Sequence, residues 1–162
     1  MPAEPDVVVV PPGDALLEDP PRTLHVNVFA IAKRLVTNDE FADFASASGY
    51  AASRWIRGAA DQPAEGISWA DAVGYCRWLS VATGRVYRLA DEREWEKAAR
   101  SGVLEQVGGV REWTNTWADG GRVLRGGSAH DPSDDALLTQ RLRATEDLRG
   151  HGFRVVRSMT GR

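Results

Sequence analysis

A chain of 162 residues with 43% hydrophobic residues can bury a sizeable core, and the expectation is one compact domain over residues 1–162. Lys and Arg total 20 against 23 for Asp and Glu, a net charge of −3, so no excess positive field exists to attract nucleic acid or anionic lipid. A lone cysteine, Cys76, excludes an internal disulfide and a multi-thiolate metal site, and it suits a reducing compartment.

The opening "MPAEPDVVVVPPGD" holds four consecutive valines beside an acidic flank, which is neither a signal peptide nor a membrane span. The expectation is a cytoplasmic protein without membrane insertion, a reading compatible with display on a viral particle or cell surface through partners. Within residues 1–25, "DVVVVPPGD" reads as a strand closed by a turn and "LLEDPPRT" as a loop. "LHVNVFAIAKRLVT" reads as a second strand pairing with the first, with Val26, Val28 and Ala30 on one face and Asn27, Phe29 and Ile31 on the other.

At Thr37 the period changes. Thr37 and Glu40 form a capping box, Phe41, Phe44 and Ala45 share a helical face, and Gly49 ends the helix. "YAASRWIRGAADQPAEG" reads as a loop whose Trp55 is a candidate contact. Ser68 and Asp71 then cap a second helix, with Trp69, Ala72, Val73, Cys76 and Leu79 facing inward and Gly84 as its stop. "RVYRLADEREWEKAARSG" runs from a short strand into a third helix through Asp91 and Glu94, with Gly102 closing it. "VREWTNTW", "GRVLRGGS" and "HGFRVVRS" are strands separated by glycines. Helices in the first two thirds and strands thereafter, joined by one early strand pair, make an α+β pattern with small irregular antiparallel sheets.

Taken together, "LVTNDEFADF", "GISWADAVGYCRWLSVATGRVYRLADEREWEKAAR", "VGGVREWTNTW", "RVLRGGS" and "GFRVVR" resemble, in this order, the formylglycine-generating enzyme (sulfatase-modifying factor) family. The resemblance runs from about residue 26 onward and implies a C-type-lectin-like fold. That fold carries oxidases, accessory domains and hypervariable binding proteins alike, so function must be argued from the site. The residues themselves describe a core: Trp69, Trp78, Trp95 and Trp113 are expected to be buried. Gly126 and Gly127 permit a bulge or close backbone approach, and Arg154 is expected to tie the last strand to carboxylates or carbonyls, with Glu112 and Glu94 as candidate partners.

In the oxidases of that family, the segment after "RGGS" carries two cysteines that hold copper, because soft thiolates select Cu(I). The matching positions here fall at or near Asp131 and Ala136, and Cys76 faces inward on a helix as a small hydrophobe. Two further departures accompany this one. Only "SGVLEQ" separates "EKAAR" from "VGGVREW", where the family has a long excursion, and Gly109 stands where an asparagine accompanies a structural calcium. The expectation is no cofactor, with a structural calcium as what the resemblance leaves open and iron or copper only in the oxidase alternative. A Ser128, His130, Asp131 triad ranks below a metal site, because adjacent residues cannot arrange themselves as nucleophile, base and orienter and "RGGS" is not a nucleophile elbow.

What remains is a polar loop region on a rigid scaffold, which is how binding surfaces are built. Its candidate ligand-binding residues are Trp117, Asp119, His130, Asp131, Ser133, Asp134, Asp135, Thr139, Gln140, Glu146, Asp147, Arg149 and His151. The leading expectation is a non-catalytic protein that presents this surface to a protein or glycan ligand. Its layout resembles the variable proteins of diversity-generating retroelements, although the segment is not rich in Asn, Tyr and Ser. The alternative is an iron- or copper-dependent oxidase or oxygenase of the same superfamily, with His130, Asp131 and His151 as metal ligands.

Overall fold

The computed structural model describes residues 1–17, 20–118, 120–127, 142–143 (backbone) and 149–159. It contains three helices and three small sheets among those residues. The central sheet has the order β1-β4-β10-β5, built from β1 (Val7–Val10), β4 (Phe29–Ala32), β10 (Val155–Ser158) and β5 (Tyr87–Leu89). All its pairings are antiparallel, and β4 is flanked on one side by β1 and on the other by β10, so segments from the two ends of the chain meet across it.

Both faces of this sheet are covered. Val155 packs into a cluster with residues of α1 (Asn38–Ser48) and α2 (Trp69–Thr83), whereas its neighbour Val156 joins Phe29, Ile31 and residues of α3 (Glu92–Arg100) in a second cluster. Alternation along β10 therefore feeds two cores, and this explains why β4 is buried at every position rather than at every second one.

The three helices begin where their sequences say they should. Thr37, Ser68 and Asp91 are N-caps, each closing a capping box with Glu40, Asp71 and Glu94 respectively. Gly49 and Gly84 end α1 and α2 in the left-handed conformation, while α3 stops at Ser101, one residue before Gly102.

The early strands differ from expectation in two respects. "GDALL", read as turn and loop, is β2 (Gly13–Leu17), and it pairs with β3 (Arg22–Val26) as a separate two-stranded sheet against which α3 packs. The single strand expected through Val26 and Ala30 is consequently broken at Asn27 and Val28, where the chain leaves the hairpin for the central sheet. Val28 is half-buried, whereas Phe29, Ala30, Ile31 and Ala32 are all buried. The expected pairing with the first strand is made by β4.

The third sheet has the order β8-β7-β6-β9 and carries the candidate face. In it β6 (Arg111–Ala118) and β7 (Gly121–Arg125) form a hairpin whose register shifts between Trp113 and Trp117. The backbone of β8 (Leu142–Arg143) pairs antiparallel with β7, and β9 (His151–Gly152) runs parallel to the start of β6. Among the described residues no helix is long and apolar enough to cross a membrane.

A candidate ligand-binding face held by buried ion pairs

The frame of this face is ionic and buried. Arg154, between β9 and β10, is 1% exposed and Glu112 of β6 is 0% exposed. The guanidinium donates from Nε to Glu112 Oε1 and from Nη2 to Oε2 at 3.0 Å, and further to the carbonyls of Lys33 at 2.7 Å and Glu105 at 2.8 Å. Glu112 Oε1 also accepts from Trp95 Nε1 at 3.0 Å. A buried charge persists only when paired and hydrogen-bonded, and this pair is held at both ends. The expectation that Arg154 ties the last strand to a carboxylate is met by Glu112. Glu94 binds Arg88 instead, through two bonds of 2.6 and 2.8 Å.

A second pair anchors the other strand. Arg125, the last residue of β7, is buried against Glu96 of α3, with its guanidinium 5.2 Å from the Trp95 ring centroid. Glu96 also receives Arg100 one turn later on the same helix. Gly126 follows in a left-handed conformation with φ of 96°, where a Cβ would meet Glu112 Oε2 at 3.3 Å and Trp95 Cζ2 at 3.4 Å. The "RGG" signal is thus a close approach of backbone to the Trp95–Glu112 contact. Through these pairs α3 fixes the point where the chain enters residues 128–148, and Arg154 fixes the strand that follows them.

Trp117 is 61% exposed, and Arg149 is also exposed. His151 is not a surface residue: in β9 it is 3% exposed, its ring set edge-on against Trp113 at 5.5 Å, while its carbonyl accepts from the Ile67 N–H. Trp113 in turn donates to the Ile67 carbonyl at 2.7 Å. His151 belongs to the wall joining the start of α2 to β6. Asp119, His130, Asp131, Ser133, Asp134, Asp135, Thr139, Gln140, Glu146 and Asp147 lie outside the described residues.

One arrangement was not anticipated. Arg122 of β7 lies over the Trp69 ring at 3.9 Å and beside the Trp117 ring at 5.3 Å, with Nη1 donating to the Asn115 carbonyl at 3.1 Å. Trp117 and Arg122 are direct cross-strand partners, a signal that the hairpin register would have supplied. Trp69 is half-buried rather than buried, as is Trp78, whereas Trp95 and Trp113 are fully inside. The Trp69 indole N–H is buried and has no acceptor among the described residues.

The contact expected at Trp55 resolves differently, while Cys76 faces inward as expected. Trp55 is no free contact residue, because its Nε1 donates to Asn38 Oδ1 at 3.0 Å and its ring packs on Phe41 at 4.9 Å. Cys76 sits on the inward face of α2 at 3% exposure, and burial pushes its thiol up to about 12. A buried, neutral thiol cannot act as a thiolate ligand, and the chain has no other cysteine, so its residues do not fit a copper ion held by a cysteine pair. Gly109 offers no side-chain oxygen, and neighbouring Gln106 Oε1 accepts from the Leu35 N–H at 3.1 Å.

Comparison with known proteins places this geometry in a group. Residues 1–107 match the model of the sulfatase-modifying factor enzyme 1-like domain. Among curated proteins the chain is similar to the hercynine oxygenase of Mycobacterium tuberculosis, 29% identical over 147 residues, covering 67% of this chain and 33% of that protein. It is also similar to the formylglycine-generating enzyme of the same organism, 27% identical over 164 residues, covering 62% of this chain and 52% of that protein. The chain therefore spans about a third and about half of these relatives. Among solved structures it superposes on PvdO from Pseudomonas aeruginosa with a TM-score of 0.77 and 21% identity, over 96% of this chain and 95% of that one. Treponema denticola variable protein 1 gives 0.78 and 18% over 94% of each chain, and CarF 0.78 and 20% over 96% and 99%. These likenesses establish the C-type-lectin-like fold expected from the motifs.

Proposed function

The chain belongs to the sulfatase-modifying factor enzyme 1-like domain family, and from that premise we propose that it is a non-catalytic ligand-binding member. It presents a face containing Trp117, Arg149 and the polar residues of 128–148 to a protein or glycan. The observation that carries this reading is the fate of sulfur: the chain's one thiol is buried in α2 and protonated, while the strands that bracket the polar segment are locked by Glu96–Arg125 and Glu112–Arg154. A rigid frame around a polar, aromatic-bearing segment supports recognition, and a family oxidation that needs a thiolate pair has no donor. The fold shared with a variable protein supports the further reading that residues 117–151 are the diversified part. Under it, sibling sequences differ by adenine-directed changes confined to 117–151, with the "RGG" and "GFR" frame constant.

The test is immobilised full chain screened against a random-peptide display library and a glycan array. Saturable binding is expected, and it is lost when Asp131, Asp134 and Asp135 are jointly replaced by alanine or when Trp117 is. Absence of any saturable ligand, or ligands indifferent to every such change, contradicts the reading.

The similarity to an oxygenase supports a second reading, a metal-dependent enzyme using His130, Asp131 and His151. It requires His151 to leave its packing against Trp113 or to reach a metal from within it. Its test is metal uptake, which alanine at either histidine must abolish.

A further inference from the structure

The binding reading leaves the chemistry of the partner open, and the stack of Trp69, Arg122 and Trp117 supplies it. Resting on that reading, we propose that this stack anchors a protein partner which brings an Asp or Glu carboxylate next to an apolar side chain.

Arg122 is a cation set between two indoles with no counter-charge among the described residues. Arg88, Arg125 and Arg154 each close on a glutamate, whereas among the described residues no carboxylate pairs with Arg122. One N–H goes to the Asn115 carbonyl, and the guanidinium carbon lies 3.9 and 5.3 Å from the centroids of two indole rings. The remaining donors keep the planar fork that matches a carboxylate, and a fork already held in place loses little freedom on binding. Beside it Trp117 leaves 61% of its surface in water. An exposed indole next to a donor fork offers one apolar and one acidic contact in adjacent positions.

The Trp69 N–H at the base of the stack is buried and has no acceptor among the described residues. Composition favours protein over sugar, because Trp and Arg are among the side chains most enriched at protein-binding hot spots.

The deciding experiment is selection of a random-peptide display library on the full chain, followed by titration of the enriched peptides against wild type, Trp117→Ala and Arg122→Lys. The expected peptides carry Asp or Glu beside an aromatic or aliphatic residue, and both variants weaken them by about tenfold or more while melting like wild type. Lysine keeps the charge but not the stacked fork, so a general electrostatic effect would leave Arg122→Lys unchanged and overturn the proposal. Enriched peptides without acidic residues also overturn it, as do glycan-array ligands lost in Trp117→Ala with no peptide enriched. Ligands insensitive to both variants but lost on changing Asp131, Asp134 and Asp135 overturn this anchor and leave the binding reading standing. No ligand of either kind overturns both.

Discussion

Arg154 and Glu112 show how one residue pair sets the geometry of a distant surface. The pair is buried and fully hydrogen-bonded, so replacing one member strands a charge that water cannot reach. Arg154→Met is expected to destabilise the protein by about 3–5 kcal/mol in urea unfolding. The double variant Arg154→Met, Glu112→Leu recovers a large part of that loss, because removing both charges removes the stranded one. Equal stabilities of single and double variants would show that the pair acts independently of its charge. Cys76 makes a second prediction at this scale. Its thiol is raised from 9.0 to about 12 by desolvation, so the folded state holds this proton more tightly than the unfolded chain. The stabilisation is fully present below pH 9.0 and is lost as pH rises toward 12. The urea midpoint should therefore fall more steeply over this window in wild type than in Cys76→Ala. Native protein at pH 8 should not react with a thiol reagent that labels the unfolded chain.

At the scale of elements, the helices were legible in the sequence and the early strands were not. Each capping box is a local signal: Thr37 with Glu40, Ser68 with Asp71 and Asp91 with Glu94 satisfy backbone groups within one turn, and no distant residue can alter that chemistry. Replacing Thr37 or Ser68 by alanine should cost about 1 kcal/mol each, measured by thermal or urea unfolding. Strand β2 is different, since "GDALL" has no clean alternation and no β-branched residue, and it becomes a strand because β3 and α3 offer it partners. The same non-local pairing broke the expected second strand at Asn27 and Val28. Gly152 belongs to this scale too, because a Cβ there would lie 2.6 Å from the Ala64 carbonyl oxygen, where β9 passes the 63–67 segment. Gly152→Ala should destabilise by about 2–3 kcal/mol, as overpacked sites do, and a neutral result would mean that the two segments move apart freely.

For the whole molecule, the order of motifs made the family and fold readable, and "GISWADAV", "REW", "RGG" and "GFR" mark the burial and ion pairing that frame this chain. The candidate face was less readable. Trp117 could be named from its place at the far end of the strand that begins with "REW", but its partnership with Arg122 and Trp69 depends on hairpin register and on the approach of α2. His151 looked like a loop residue because glycine precedes and follows it, yet pairing of β9 with β6 carries it into the core.

Recognition without metal chemistry is put to the test by the metal content of the protein. Untagged protein purified without chelator is analysed for bound metals, then offered Fe(II), Cu(I) and Ca(II) one at a time while oxygen uptake is followed with a thiol substrate. The account predicts no stoichiometric transition metal and no oxygen uptake above buffer. Near-stoichiometric iron or copper, lost in His130→Ala or His151→Ala and accompanied by oxygen consumption, would contradict it.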